Sequence, residues 1–248
     1  MTVELAQKDK AEYKAGPIPK DAIDYFNAKN LHPAFNYHEV WAAENHFAFT
    51  VAKILEKSIL SDVRDSIEKA LLDGVPFEKW STDIRPSLEK SGWAQDAEGN
   101  EPSRLRTIYD TNMRMARANG QEDRAQRVKD VLPFFVYELG PSKEHRIEHQ
   151  EWAGLTLEVD DPWWDEHAPP SAWGCKCRRR QVTQTEADEG TGPDDAPPDD
   201  DEPYEIKDAS GEVVRSGMVP RGVDPAFAYK KGTAGRQQAL ADALESDE

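Results

Sequence analysis

The sequence predicts an α+β protein: a helical N-terminal half, a small β-sheet C-terminal half with a His/Cys cluster, and an extended acidic linker and tail. Three observations carry this. Apolar residues recur at helical spacing from about 22 to 130. Short strand-like apolar runs begin after Asp130. Between Arg146 and Cys177 lie four of the seven tryptophans, two of the six histidines and both cysteines. Such a density of costly side chains in a hydrophilic chain marks a compact, specified site.

Residues 1–21 are polar, carry Gly16, Pro17 and Pro19, and read as a flexible N-terminal arm. Asn36 with Glu39 fits a helix start, followed by Val40, Trp41, Phe47, Val51, Ile54 and Leu55 at helical spacing. A second helix opens near Ser58, buries Val63, Ile67, Ala70 and Leu71, and stops at Gly74. Pro76 suits the first turn of a third helix with Phe77, Trp80 and Ile84, and Leu88 and Trp93 follow near Gly92. A fourth helix from about Ser103 to Ala118 carries Leu105, Ile108, Met113 and Ala116 on its buried side. These helices make up a helical part, 22–130.

The second part, 131–185, opens with a buried strand over Val131–Leu139. Leu155, Leu157 and Val159 alternate as a short strand, and Arg178–Thr183 suits another. Residues 186–203 are nearly all Asp, Glu, Gly, Pro and Ala, which cannot bury enough apolar area to offset chain entropy; they read as a disordered acidic linker. Residues 204–248 read as a hairpin around Ser210-Gly211, an extended tail from Met218 to Gly235, and a short helix over Arg236–Leu244. On this reading the tail can be removed without unfolding the rest.

Composition narrows the function. The formal charge of −17 opposes broad DNA binding, because phosphates repel an acidic surface. No apolar run approaches the ~18 residues of a membrane span, so no membrane association is expected. The N-terminal residues lack the apolar core of a secretory signal, and two cysteines in one C-x-C are no disulfide framework. A reducing, bacterial-type cytoplasm, or a particle assembled there, is the expected setting.

The only segment with ligand-type residues is 145–177. Zinc takes four ligands from Cys, His and carboxylate. Cys175 and Cys177 supply two and His149 the third; His167 or Asp161 are the alternatives for the fourth, with His145 one helical turn from His149. Lys176, Arg178, Arg179 and Arg180 are expected to lower the thiol pKa. Reduced cysteines packed as small apolar groups beside a hydrogen-bonded histidine remain the competing reading, as does a strained C-x-C disulfide. Trp152, Trp163, Trp164 and Trp173 read as core, Asp160-Asp161-Pro162 as a turn, and Pro169-Pro170 as an extended approach to the Trp173-Gly174 turn. No nucleophile–base–orienter trio can be assembled, so no catalytic residue is assigned. The basic run Arg178–Arg180 reads as a solvated strand edge.

Arg146-x-x-His149, Trp152-x-Gly154, Asp160-Asp161-Pro162-Trp163-Trp164, Pro169-Pro170 and Trp173-Gly174-Cys175-Lys176-Cys177, in that order, resemble the signature of phage Mu protein F-like minor head proteins. These belong to the head-morphogenesis minor capsid family of tailed phages. Upstream, Ala22–Lys29, His46–Lys53, Gly92-Trp93 and Arg104–Ala116 look like family positions, and downstream so does Gly222–Tyr229. Lys176 stands where the family often has Arg, which keeps charge but loses the planar fork. Lys230-Lys231-Gly232 follows Tyr229 where the family often has Asn-Pro-Gly. The resemblance covers most of the chain and makes 22–185 the Mu F-like domain. It implies a structural, non-enzymatic protein of the phage head and procapsid, in the head interior or portal region, with portal protein, major capsid protein and scaffold as partners, a weak contact with packaged DNA, and the link to DNA packaging or ejection that some relatives have. The alternatives are a metal-dependent hydrolase or nuclease using His149 with Asp160 or Asp161, and a DNA-end binding module using Arg178–Arg180.

Overall fold

In the computed structural model, the described residues are 20–36, 39–40, 42–90, 101–190, 192–198, 200–208 and 210–246. Helix α1 spans Lys20–Asn27, and strands β1 (Asn30–Leu31) and β2 (Ala48–Phe49) pair in parallel across a 3₁₀ turn at Ala42–His46. Three helices follow: α2 (Lys57–Asp73), α3 (Phe77–Lys90) and α4 (Glu101–Val128). The second half holds β3 (Phe134–Glu138), α5 (Ile147–Glu151), β4 (Thr156–Glu158), α6 (Trp164–His167), β5 (Arg178–Val182) and α7 (Gln184–Glu189). A hairpin of β6 (Asp201–Lys207) and β7 (Val213–Pro220) and a final helix α8 (Gly232–Ser246) complete the chain. The architecture is mixed α and β with a helical N-terminal half.

The helical half packs α2, α3 and α4 around Leu60, Val63, Ile67, Leu71, Trp80, Ile84, Leu88 and Leu105. Gly74 ends α2 in the left-handed conformation, φ 65°, as its position predicts. The helix expected after Asn36 does not form. Val51 and Ile54 are buried, but they sit on short extended and bridged backbone around β2 that presents them to α2. Periodicity read there as helical is produced by an irregular segment that buries Val40, Val51 and Ile54 and leaves Leu55 exposed. Trp41, Gly92 and Trp93 lie outside the described residues, as do 1–19 of the expected arm; its last two residues, Lys20 and Asp21, open α1.

Helix α4 runs ten residues past its predicted end at Ala118, through an Asn119-Gly120 pair that reads as a stop. Gly120 is there for contact: a Cβ on it would stand 2.4 Å from the backbone nitrogen of Ala22. Helix α1 therefore lies on α4 at backbone distance, and only glycine permits it. Asn119 is turned to use as well, its side-chain carbonyl accepting from the Gly232 amide at 2.7 Å. Through Leu105, Met115 and Ala125, α4 supplies side chains to three separate clusters and forms the spine of the molecule.

The second half is a three-stranded antiparallel sheet, order β4-β3-β5. Phe135 and Tyr137 on β3 are buried beneath Trp152, Trp163 and Trp164. The strand begins at Phe134 because Val131 and Leu132 still bond back to Val128 and finish the helix, leaving Val131 70% exposed.

Two expectations for the C-terminal quarter are corrected. The segment 186–203 takes regular structure at both ends, in α7 and β6. Thr183 caps α7, and Asp194 bonds both backbone groups of Thr156 on the β4 edge, at 2.8 Å each. The Asp194 carboxylate thus serves as an acceptor at the sheet edge as well as a charge. The segment after Met218 is no free tail. Val219 and Val223 join the sheet-side core, and Ala226, Phe227 and Tyr229 pack with Met115.

Candidate metal centre

Helix α5, a single turn, places His149 inward, 2% exposed. Cys175 and Cys177 lie just before β5, 5% and 8% exposed, both as free thiols. Gly140 permits their approach: a Cβ there would fall 1.7 Å from the carbonyl oxygen of Lys176. His149 Nδ1 stands 3.6 Å from Cys177 Sγ and 4.0 Å from Cys175 Sγ, and the three donor atoms all lie within 4.8 Å of one another. The imidazole stacks on Trp152, with ring centroids 5.1 Å apart.

Protonation follows from geometry. His149 Nε2 lies 2.9 Å from the carbonyl oxygen of Gly222, which can only accept, so the neutral ring carries its proton on Nε2. Ser171 Oγ is also near, 3.3 Å from Nε2. Nδ1 is left with a lone pair aimed at two sulfurs. The hydrogen bond from Cys177 holds the Cys175 thiol well below its usual range, and giving that bond, together with burial, pushes Cys177 up. Arg178 and Arg180, expected to lower the thiols, are instead neutralised by Glu138 at 2.7 Å each, and Arg179 is buried against Glu122 at 2.9 Å. The run Arg178–Arg180 is therefore no free cationic edge.

The other expected residues lie elsewhere. His167 Nδ1 donates to Trp163 O at 2.9 Å, and its ring stacks on the Trp163 indole. Asp161 accepts from the Trp163 amide at 2.9 Å, the turn role its sequence suggests. Asp160 pairs with Lys129 at 2.6 Å. His145 precedes α5 and points to Gly140 O, 2.9 Å away. None of the four joins the group. Trp152, Trp163 and Trp164 are core, whereas Trp173 is 40% exposed. The Pro169–Pro170 bond is cis.

Tyr137 is the residue the sequence did not single out. Its ring centroid lies 6.1 Å from that of His149, and its buried hydroxyl has no hydrogen-bond partner among the described residues. It lies close enough to both thiols for their negative charge to raise its pKa, after burial itself. The hydroxyl is directed toward Cys177 and Ser171, and a polar group beside two sulfurs suits a polar or ionic occupant. The donor spacing also fits. Tetrahedral zinc with ordinary Zn–N and Zn–S bonds sets nitrogen and sulfur about 3.6 Å apart.

A family model described as "Phage Mu protein F like protein" matches residues 61–180. The chain is 31% identical over 272 residues to "Putative capsid assembly protein F" of Escherichia phage Mu, covering 96% of this chain and 59% of that protein. It is 32% identical over 158 residues to "Mu-like prophage FluMu F protein" of Haemophilus influenzae (strain ATCC 51907 / DSM 11121 / KW20 / Rd), covering 60% of this chain and 38% of that one. The chain thus spans less than two thirds of either relative's length. No solved structure matches.

Proposed function

The chain belongs through residues 61–180 to the phage Mu protein F-like family, and from that premise we propose that it is a minor capsid protein of a tailed phage or prophage. It acts in head morphogenesis as a structural component, without enzymatic activity, in the head interior or portal region of a particle assembled in the host cytoplasm. Its partners are portal protein, major capsid protein and scaffold, with at most a weak contact to packaged DNA.

The observation that carries the structural reading is the closure of the His149–Cys175–Cys177 knot. All three side chains are buried, Trp152 covers the imidazole, and Gly222 holds its outer nitrogen. Among the described residues no carboxylate joins this group to work as a base on a bound water. A knot of this kind joins α5, the approach to β5 and the segment after β7, and so ties three stretches of one small core. In this reading His149 Nδ1 and the two thiolates would hold a zinc ion, with Tyr137 packed beside them. Its contribution when bound is a cross-link that favours the folded chain.

Capture of the purified full chain on immobilised portal protein and on immobilised major capsid protein, run separately, tests the proposal. Saturable binding to portal protein is expected. Binding to neither, by a chain that melts cooperatively, would overturn it. Metal-dependent cleavage of duplex DNA or peptide that disappears in Asp160→Asn or Asp161→Asn would instead favour the hydrolase.

A further inference from the structure

A cavity of about 530 Å³ lies among α4, the backbone around β2 and the segment after β7. Its lining includes the apolar side chains of Met115, Trp173 and Phe227 and the polar ones of Lys29, Thr50, Arg104 and Asn112. In a chain with a formal charge of −17, the described lining of this cavity contains no Asp or Glu.

Two lining groups are buried without partners. Lys29 is 7% exposed, and its ammonium makes no hydrogen bond or ion pair among the described residues; the nearest compensation is the Tyr25 ring face, 5.4 Å away. The Thr50 hydroxyl is buried with no hydrogen-bond partner among the described residues. Leaving a charge buried and unpaired is costly, and the group escapes by neutralising. Burial, with the repulsion of Arg236, accordingly lowers Lys29 to about 7. An anion seated beside it would restore the ammonium.

We propose that this cavity binds a carboxylate joined to an apolar body. Lys29 and Thr50 each donate to the carboxylate, and the body lies against Met115, Trp173 and Phe227. The two buried groups, an ammonium and a hydroxyl, match a group with two oxygens, Arg104 adds positive charge to the same lining, and the volume is that of an ordinary ligand site. The same chemistry is offered by a free alkyl carboxylate and by the C-terminal carboxylate of an apolar peptide segment.

Calorimetric titration of the full chain with octanoate, octanol, and the peptide Ala-Leu-Phe as free acid and as amide tests this. Saturable binding of a carboxylate probe is expected, at least tenfold tighter than its alcohol or amide counterpart. Lys29→Met should abolish that preference and Thr50→Val should reduce it, with both variants melting no lower than the parent. Tighter binding of the free-acid peptide points to a protein segment as the source, and tighter binding of octanoate to a free carboxylate; either supports the site. Absence of binding by every probe, equal binding of octanoate and octanol, or an unchanged preference in Lys29→Met overturns it.

Discussion

His149 donates through Nε2 to the carbonyl of Gly222, 73 residues downstream, at 2.9 Å. His46 does the same to the carbonyl of Lys230, 184 residues away, at 2.8 Å. Two buried imidazoles, one from each half of the molecule, hold the same C-terminal segment by its backbone. In both rings the carbonyl fixes the proton on Nε2. At His46 the Nδ1 lone pair faces the Tyr25 hydroxyl at 3.1 Å; at His149 it faces two sulfurs. The first ring is satisfied by protein alone, and the second is arranged as a ligand.

That difference predicts a difference in metal dependence. Protein purified without chelator should carry about one zinc per chain by elemental analysis, and His149→Ala should carry none. Loss of the buried ring's partners alone costs about 1–3 kcal/mol, or roughly 2–12 °C in Tm at this size; loss of the metal adds to it. A chelator should lower the parent's Tm and leave that of the variant unchanged. Under a tenth of an equivalent of zinc, with Tm indifferent to chelator, would return the cysteines to packing groups.

His46 predicts a pH dependence. Burial, opposed by the bond to Lys230, lowers it from 6.5 to about 3. The folded pKa lies below the unfolded one, so between these values the unfolded chain binds the extra proton. His46 therefore costs no stability above about pH 6.5, and stability is lost progressively as pH falls toward 3. Urea midpoints of the parent should fall between pH 7 and pH 4.5, and those of His46→Gln should fall less. Parallel profiles for the two proteins would assign the acid sensitivity elsewhere.

The helical half was legible wherever one face repeats over several turns. Val63, Ile67, Ala70 and Leu71 mark α2, and Gly74 ends it, because helical burial recurs at 3.6 residues. Residues 40–55 defeated the same rule, since a short irregular segment can bury apolar side chains at any spacing. The trio of His149, Cys175 and Cys177 was readable from residue type, but its fourth neighbour was not. Tyr137 looks like any core aromatic until its hydroxyl is found without a partner. Lys29, His46 and Lys231 were invisible for a similar reason. Polar residues read as solvated from sequence, yet Lys231 is 1% exposed, donating to the carbonyls of Phe227 and Tyr229.

Gly120→Ala should be among the most damaging single-methyl changes in the protein. The added Cβ would meet the backbone of Ala22, which has no rotamer with which to yield. Overpacking of this kind costs about 1–3 kcal/mol. Gly174→Ala is the comparison: nothing lies within 4 Å, but its φ of +72° makes the cost one of backbone strain, about 1 kcal/mol. Equal urea midpoints for parent and Gly120→Ala would show that α1 does not lie on α4 as described.

Arg179 and Glu122 form a buried pair at 2.9 Å, with the guanidinium also 4.2 Å from the Phe135 ring centre. Removing one partner strands a charge in the core. Glu122→Leu alone should therefore destabilise by about 3–5 kcal/mol. The double change Arg179→Met with Glu122→Leu should recover most of that, because a buried pair contributes little net stability over apolar groups of similar volume. A double variant as unstable as the sum of its single changes would contradict this account.

The C-terminal segment provides the last prediction. Ending the chain at residue 203 removes Val219, Val223, Phe227 and Tyr229 from the core and takes away the carbonyls that hold His46 and His149. Each such side chain is worth about 1.5–3 kcal/mol of burial, so four of them approach the whole stability of an ordinary domain, about 5–15 kcal/mol. The truncated chain should lose cooperative melting and its resistance to protease. Ending the chain after Arg236 keeps the Lys230 and Lys231 contacts, the bonds of Gly232 to Asn119 and of Thr233 to Asp123, and the reach of Arg236 to the carbonyl of Ala28. It gives up a helical stretch whose Leu240 and Leu244 are already exposed. That shorter deletion should cost only about 1–2 kcal/mol, mainly the burial of Ala239 and the last turns of helix. If the chain ending at 203 melts as the full chain does, the segment is a removable tail after all, and the two histidine clamps are incidental contacts.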